Sequence, residues 1–339
     1  MCKCRAHKKI INALLKICDL KIILCFYYFA GMKKWIFSLF ILAALFLLTA
    51  YIFIPKEITV SSTVSMKANT RGILRCLQDS SKWEKLFGNP VGENVFEQDN
   101  QIYKVNQKLF GGLEVLIKNK DSFVTSVIKP LSLKYDSAAI NWSTTIGSSN
   151  NPFKKTEQYF IANKIRKDMN ATLENMKKFL VSPENIYNIH VQLTQVKDTL
   201  LVMTKKTFTT YPNVENIYGL INTLKDHIKT NGAKETGYPM LNIDKNDEGF
   251  FTRVAIPIDK EIPPVNGLIE IKRMVPGKIL VVEVKGGPTT VTNAFAGLQD
   301  YVQDYNYSSP AIPFQSLITD RVNEKDTSKW ITKLYYPVY

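Results

Sequence analysis

Apolar and polar positions follow three different rhythms along this 339-residue chain. The first has no alternation. Trp35 to Ile54, "WIFSLFILAALFLLTAYIFI", contains no charged residue. As one helix it would be about 30 Å long, the depth of a bilayer's hydrocarbon layer. The second rhythm has a period of two. It runs through "ITVSSTVSM" (Ile58–Met66), then "QIYKVNQKL", "LEVLIKNK", "SFVTSVIKP" and "LKYDSAAINWSTTI". Gly111-Gly112 and Asn119-Lys120-Asp121 punctuate it, which predicts an antiparallel meander. The third has a helical period. Phe160, Ile161, Ile165, Met169, Leu173, Met176 and Leu180 fall at three- and four-residue spacing in "EQYFIANKIRKDMNATLENMKKFL" and predict one long amphipathic helix. Two shorter helices are expected earlier. Asn69 caps "TRGILRCLQD", and Ser80-Ser81 open a turn around Trp83.

From about Ile189 the chain repeats itself. "TLLVMTKK" (Thr199–Lys206) matches "KILVVEVK" (Lys278–Lys285), and "YGLINTLKDHI" matches "FAGLQDYVQDY". "PMLNI" (Pro239–Ile243) matches "PFQSL" (Pro313–Leu317), and "FTRVAIPI" (Phe251–Ile258) matches "ITKLYYPV" (Ile331–Val338). The offsets are 79, 77, 74 and 80 residues, in fixed order. Each copy reads strand, helix, strand, strand, after a short leading segment ("HVQLTQV" and "IEIKRM"). One copy is too small to bury its own faces. Two copies predict an eight-stranded sheet with both helices on one face and a concave opposite face at the seam, a common kind of ligand site. On the last strand, Thr332, Leu334 and Tyr336 share one face, Lys333 and Tyr335 the other; Thr252, Val254 and Ile256 oppose Arg253 and Ala255 in the first copy. The more apolar set is expected against the helices. Arg253, Lys333, Tyr335 and Gln315, with Phe314 and Tyr238, are then the candidate ligand-binding residues of the concave face. An ordinary solvated sheet face shows the same alternation and is the competing reading.

Charge and cysteine usage refine the front end. Lys3, Arg5, Lys8, Lys9, Lys16, Lys21, Lys33 and Lys34 precede the apolar run, and Lys56 follows it closely with Glu57 beside it. The positive-inside rule then predicts a cytosolic N-terminus and an extracytoplasmic (periplasmic) remainder. Met32-Lys33-Lys34 resembles the basic start of an export signal, but no small-residue cleavage site follows, so an uncleaved anchor over residues 32–55 is expected. Residues 1–31 carry Lys16, Asp19 and Lys21 inside an apolar stretch and read as an upstream extension of the reading frame. Past residue 55 the formal net charge of +14 falls to an excess of seven spread along the chain, since eight basic residues and Asp19 lie before it. This is a lysine-rich surface and predicts no nucleic-acid partner. Cys2, Cys4, Cys18 and Cys25 precede the remainder, where Cys76 stands alone in an apolar helix pattern, so no internal disulfide is available there.

The layout over residues 56–183 is strand, two short helices, meander and long helix. "STVSMKANTRGILRCLQDSSKWEKLF" and the Trp142 strand followed by a helix ending "LENMKKFL" resemble the START-like (polyketide cyclase, SRPBCC) family. The resemblance implies a helix-grip fold with an apolar ligand between sheet and helix, and makes Trp83, Tyr103 and Trp142 candidate cavity residues. Equally, they read as ordinary core aromatics. Over residues 189–339, "VEVKGGPTTVTNAFAGLQDY", "PFQSLITDR" and "ITKLYYPV" resemble the GyrI-like effector-binding domain. That family commonly carries a Glu at the third position of its Pro-aromatic-Glu strand, to meet cationic ligands or act as an acid/base; this chain has Gln315. A neutral amide cannot be a general base, so a neutral or weakly polar ligand is expected.

The expected fold class is therefore α+β: a helix-grip domain and a duplicated strand-helix-strand-strand domain behind one transmembrane helix. No nucleophile–base pair, phosphate loop or metal-ligand spacing is legible, and His7, His190 and His227 are scattered. No cofactor or metal is expected. The expected function is a membrane-anchored, non-enzymatic protein for a small-molecule or lipid-like ligand. A hydrolase or cyclase using either pocket is the first alternative, since fold does not settle chemistry. An effector sensor of the transcription-regulator type is the second, although no helix-turn-helix pattern is present.

Overall fold

The computed structural model describes residues 35, 37–49, 51–120, 122–196 and 199–339. The expected extension over residues 1–31, the "MKK" at 32–34 and four of the five cysteines lie outside them, as do Ile36 and Ala50. Contacts divide the chain into two compact units: residues up to Ser61 with Ser143–Lys167, and Ser62–Trp142 with Asp168–Tyr339.

In the first unit, residues 37–49 and 51–53 are helical. Among the described residues no helix is long and apolar enough to cross a membrane. The described residues therefore give no support to the expected transmembrane helix over 35–54. The helix ends at Phe53 because Pro55 lacks an N–H and disfavours helical geometry in the residue before it. Large apolar side chains from Trp35 to Phe53 are exposed. Lys155 Nζ donates to Tyr51 O (3.0 Å) and sits 4.8 Å from the centre of that ring. Ser148 donates from its backbone N to Lys56 O (2.7 Å).

The first sheet has seven antiparallel strands in the order β1-β7-β6-β5-β4-β3-β2. They are β1 (Glu57–Met66), β2 (Asn89–Gly92), β3 (Val95–Gln98), β4 (Gln101–Leu109), β5 (Gly112–Asn119), β6 (Ser122–Lys134) and β7 (Ser137–Gly147). Strict alternation of burial along β1 shows one face packed and one open. Between β1 and β2 stand α1 (Thr70–Gln78) and α2 (Trp83–Phe87). Asn69 caps α1 as expected, accepting from Arg71 N at 2.8 Å. "SFVTSVIKP" and the start of "LKYDSAAINWSTTI", read as separate strands, belong to one strand. β6 runs through Pro130 and turns at Tyr135-Asp136. Its pairing with β5 stops at Ile128, so the missing N–H of Pro130 breaks no ladder bond there.

The long helix α3 (Pro152–Leu180) starts earlier than the periodicity suggests, with Pro at its first position. Ile165, Met169, Leu173, Met176 and Leu180 are buried as predicted, but Phe160 is 67% exposed. A short α4 (Pro183–Tyr187) follows.

The second sheet has eight strands in the order β12-β9-β11-β10-β14-β15-β13-β8. They are β8 (Gln192–Val196), β9 (Thr199–Phe208), β10 (Met240–Asn246), β11 (Gly249–Ile258), β12 (Glu270–Met274), β13 (Gly277–Lys285), β14 (Phe314–Leu317) and β15 (Ile331–Val338); α5 (Val214–Thr230) and α6 (Pro288–Asp304) complete it. The duplication is present, with an exchange the sequence did not show. The leading strand of each copy pairs in the other copy's half: β8 lies on β13, and β12 on β9.

That exchange fixes the sheet's shape. β12 and β13 are six places apart in the order, about 29 Å in a flat sheet at ~4.8 Å per step. Yet Met274 and Gly277 are three residues apart, a reach of at most ~11 Å. Val196 and Thr199 join β8 and β9 under the same constraint. A flat sheet cannot satisfy either link, so the sheet is bent until its two edges meet over the face away from the helices.

Both helices pack on the other face. α5 places Ile217, Ile221, Leu224 and Ile228 against Val202, Val254, Ile256 and Ile258. α6 buries Val291, Leu298 and Val302, and its Phe295 ring lies 6.3 Å from Tyr336. The end of α6 is tied to α1 and α4. Asp304, 2% exposed, accepts from Arg75 Nη1 (2.8 Å) and from the Tyr187 hydroxyl (2.9 Å), while its carbonyl accepts from Asn69 Nδ2 (2.5 Å). Burial first, and the Asp304 charge second, push the Tyr187 hydroxyl far above the ordinary tyrosine range.

Candidate functional site

Register decides which side chains face the enclosed side of the second sheet, because residues directly opposite on neighbouring strands share a face. Val254, Leu241, Leu334 and Thr332 belong to the helix face. Arg253 pairs with Asn242, Ala255 with Met240, Met240 with Ser316, Ser316 with Lys333 and Phe314 with Tyr335, so these belong to the enclosed face. Gln315 pairs with Leu241 and Leu334 and is therefore on the helix face. Its expected place on the enclosed face is corrected: the polar residue there is Ser316, one residue on. A shift of one residue reverses every side chain of a strand. The same slip affects the match of β9 with β13. Thr204 pairs with Val254 and Val282 with Leu334, so the true offset is 78 and not 79.

Two cavities lie on the enclosed face. The larger, of about 580 Å³, is lined by Leu201, Met203, Ala255 and Ile312, with Arg253, Lys272, Arg273 and Lys278 among its walls. The smaller, of about 410 Å³, is lined by Thr194, Thr236, Tyr238, Pro257, Ile279 and Tyr335. Val196, Met240, Met274 and Phe314 line both. These four form two symmetry pairs. Val196 and Met274 occupy the same place in the exchanged strands at offset 78, and Met240 and Phe314 the same place at offset 74. The pseudo-twofold axis of the duplication therefore passes between the two cavities, and each copy contributes to each.

The lining is soft and aromatic. Met203, Met274 and Phe314 pack on Leu201, Met240 and Ala255, and the Phe314 and Tyr335 rings stack at 4.9 Å and 11°. Methionine adapts its shape to irregular ligands. No Asp, Glu, His or Cys lines either cavity, and among the described residues no cluster of such side chains could hold a metal ion.

Of the expected site residues, Arg253 and Phe314 line the larger cavity, and Phe314, Tyr335 and Tyr238 the smaller. Arg253 donates to Asn242 Oδ1 and Asp244 Oδ2, both at 2.5 Å. Lys333 faces the same side but pairs with Glu283 (3.4 Å), away from both cavities. Trp142 and Tyr103 are packed into the first sheet's core, their ring centres 5.4 Å apart, and line neither cavity. Trp142 Nε1 donates to Ser126 Oγ (2.8 Å), and the Tyr103 hydroxyl meets Thr172 Oγ1 (2.9 Å). Burial pushes the Tyr103 hydroxyl well above the usual tyrosine range. Sequence reasoning missed the methionines and the basic residues of β12. The signal was the segment "IEIKRM" beside "HVQLTQV", which reads as a strand but does not say which copy it joins.

No family model matches the chain, and no curated protein matches it. Among solved structures, the C-terminal domain of EcmrR is 18% identical over 44% of this chain and 98% of its own, with a TM-score of 0.39. SAV2435 bound to tetraphenylphosphonium is 16% identical over 44% and 94%, with a TM-score of 0.31. The di-domain ARO/CYC BexL from the BE-7585A biosynthetic pathway is 7% identical over 83% and 85%, with a TM-score of 0.30. Likenesses at these values carry no argument about activity or ligand here.

Proposed function

We propose that this chain is a membrane-anchored binding protein that holds a small apolar molecule on the enclosed face of the second sheet. A START-like domain over residues 56–183 and a GyrI-like domain over 189–339 make up its extracytoplasmic part. The observation that carries the binding reading is the pair of cavities sharing Val196, Met240, Met274 and Phe314. Their volumes and apolar lining suit drug-sized ligands. Among the described residues no Asp, Glu, His or Cys side chain lines either cavity, which supports binding over hydrolysis, because a general base must reach the proton it abstracts. The anchor rests on the uncharged run Trp35–Ile54, on the basic residues before it, and on the exposed Phe153, Tyr159 and Phe160 of the same unit.

The test uses the full chain in amphipol and the neutral fluorophore N-phenyl-1-naphthylamine. Saturable fluorescence enhancement is expected, and Met240→Trp, which obstructs both cavities, is expected to remove it. Enhancement unchanged in that variant sinks the reading. Protease added to intact and to outer-layer-permeabilised cells tests topology. Digestion only after permeabilisation agrees with it; full protection in both contradicts it.

A further inference from the structure

We propose that Arg321 forms a second ligand site, for an oxyanion of the carboxylate or phosphate class, on the helix side of the second sheet. Arg321 lines neither cavity, so this site is independent of the binding reading above. It stands in residues 318–330, the connection from β14 to β15. The first copy has no such connection: Asp247 and Glu248 alone join β10 to β11. Thr332 and its counterpart Thr252 are both fully buried on the helix face. Thr252 bonds within its own strand, to Phe250 O (3.2 Å), whereas Thr332 accepts from Arg321 Nη2 (2.9 Å). The first copy thus buries its threonine without an arginine, so that burial does not require the cation.

Arg321 is 9% exposed. Its guanidinium lies 4.8 Å from the centre of the Trp330 ring, and its backbone N donates to the Tyr218 hydroxyl of α5 (2.7 Å). A cation buried this far normally has a carboxylate beside it. The connection holds three acids, and each turns to its own neighbours. Asp320 accepts from Val322 N (2.9 Å) and Asn323 Nδ2 (2.7 Å). Glu324 accepts from Asp326 N (2.9 Å), and Asp326 from Ser328 N (3.0 Å) and its hydroxyl (2.7 Å). Among the described residues, Arg321 Nε and Nη1 donate to no protein atom and no carboxylate pairs with the cation. Burial holds the guanidinium below its ordinary pKa, opposed only by the Tyr218 and Tyr211 side chains. Arginine stays charged in spite of it. The two free nitrogens are not sealed from solvent, so a small ligand can reach them. Water can bond to them but brings no charge. An oxyanion brings acceptors and charge together, and its oxygens match the planar fork of donors.

Hydrogen exchange read by mass spectrometry over residues 318–330 provides the test, on the full chain in a non-ionic detergent at neutral pH. Sodium phosphate and sodium acetate are each titrated against sodium chloride of equal ionic strength, which separates binding from screening. Saturable slowing of exchange in this segment is expected with phosphate, or with phosphate and acetate both, and not with chloride. A response to phosphate alone assigns a phosphate group; a response to both assigns any anion with paired oxygens. Arg321→Met, which keeps the length and removes the charge, is expected to abolish the slowing. Arg321→Lys should weaken half-saturation by about tenfold, because an ammonium is not a fork. If Arg321 only braces the connection, Arg321→Met quickens exchange by the same factor in every salt, and the proposal is overturned. Slowing that persists in Arg321→Met overturns it too. Equal exchange in phosphate, acetate and chloride for the unsubstituted chain does so without any variant, which guards against a folding defect.

Discussion

The two sheets use similar parts to opposite ends. Each is antiparallel and packs one face on helices, and each carries aromatic residues at its centre. In the first, Phe87, Tyr103 and Trp142 touch one another, with ring centres 5.4–6.3 Å apart, and fill the interior. In the second, strand exchange bends the sheet over its free face, and the residues there are too small or too flexible to fill it. Ala255 and three methionines line the larger cavity beside the single ring of Phe314 and the C-terminal Tyr339. Curvature makes a space; side-chain volume decides whether it stays open.

Trp142→Ala should break the comparison most strongly on the filled side. It is expected to cost about 3–5 kcal/mol of stability, as large core truncations do, read by chemical denaturation. If the sheets are energetically distinct, the naphthylamine affinity of the survivor stays within about twofold. A large loss of affinity would mean that the first sheet contributes to the site.

Asp304→Ala comes next, at about 2–4 kcal/mol, because it leaves the Arg75 guanidinium and the Tyr187 hydroxyl without their buried acceptor. Hydrogen exchange should quicken in α1 and at the end of α6 before it does in β10 and β14. Uniform quickening would show that this tie does not act locally.

Ala255→Tyr makes the first copy resemble the second, where the equivalent residue is Tyr335. Stability is expected to change by less than about 1 kcal/mol, since the ring enters open space, whereas affinity should drop about tenfold (~1.4 kcal/mol). Wild-type affinity in this variant would move the ligand to the smaller cavity.

The smallest effect is invisible at neutral pH. Burial pushes the Cys76 thiol up to about 11 from an ordinary value near 9. The folded state favours the neutral thiol, so its contribution is whole below pH ~9 and is lost as pH rises through 9 to 11. Alkylation of Cys76, followed by peptide mass spectrometry at about pH 8, should be far slower in the native protein than in urea. Equal rates would place this thiol outside the core.

Much of the fold was legible in residue patterns. Asn69 as a cap, the apolar stripe from Ile165 to Leu180, and the order of elements in both copies follow from spacing alone. The site was legible only in part. Arg253 and Tyr335 were placed on the enclosed face by alternation on a strand, which survives folding unchanged, and Phe314 and Tyr238 line the cavities beside them. Gln315 was misplaced because alternation gives the two faces of a strand but not its phase against the next strand, and that phase is a property of pairing. Phe160 was misassigned for a related reason: periodicity names a helical stripe without saying how far along the helix a partner extends.

The sequence by itself determined the duplication, the apolar N-terminal run and the α+β alternation, since each is a local or linear property. Only the tertiary structure decided that β8 and β12 change places, that the sheet bends far enough for two-residue links to join its edges, and that four basic residues scattered between positions 253 and 278 meet in one cavity and not the other. Those outcomes depend on which strands pair. Strand pairing links residues that are distant in sequence through backbone hydrogen bonds, and no local pattern encodes it.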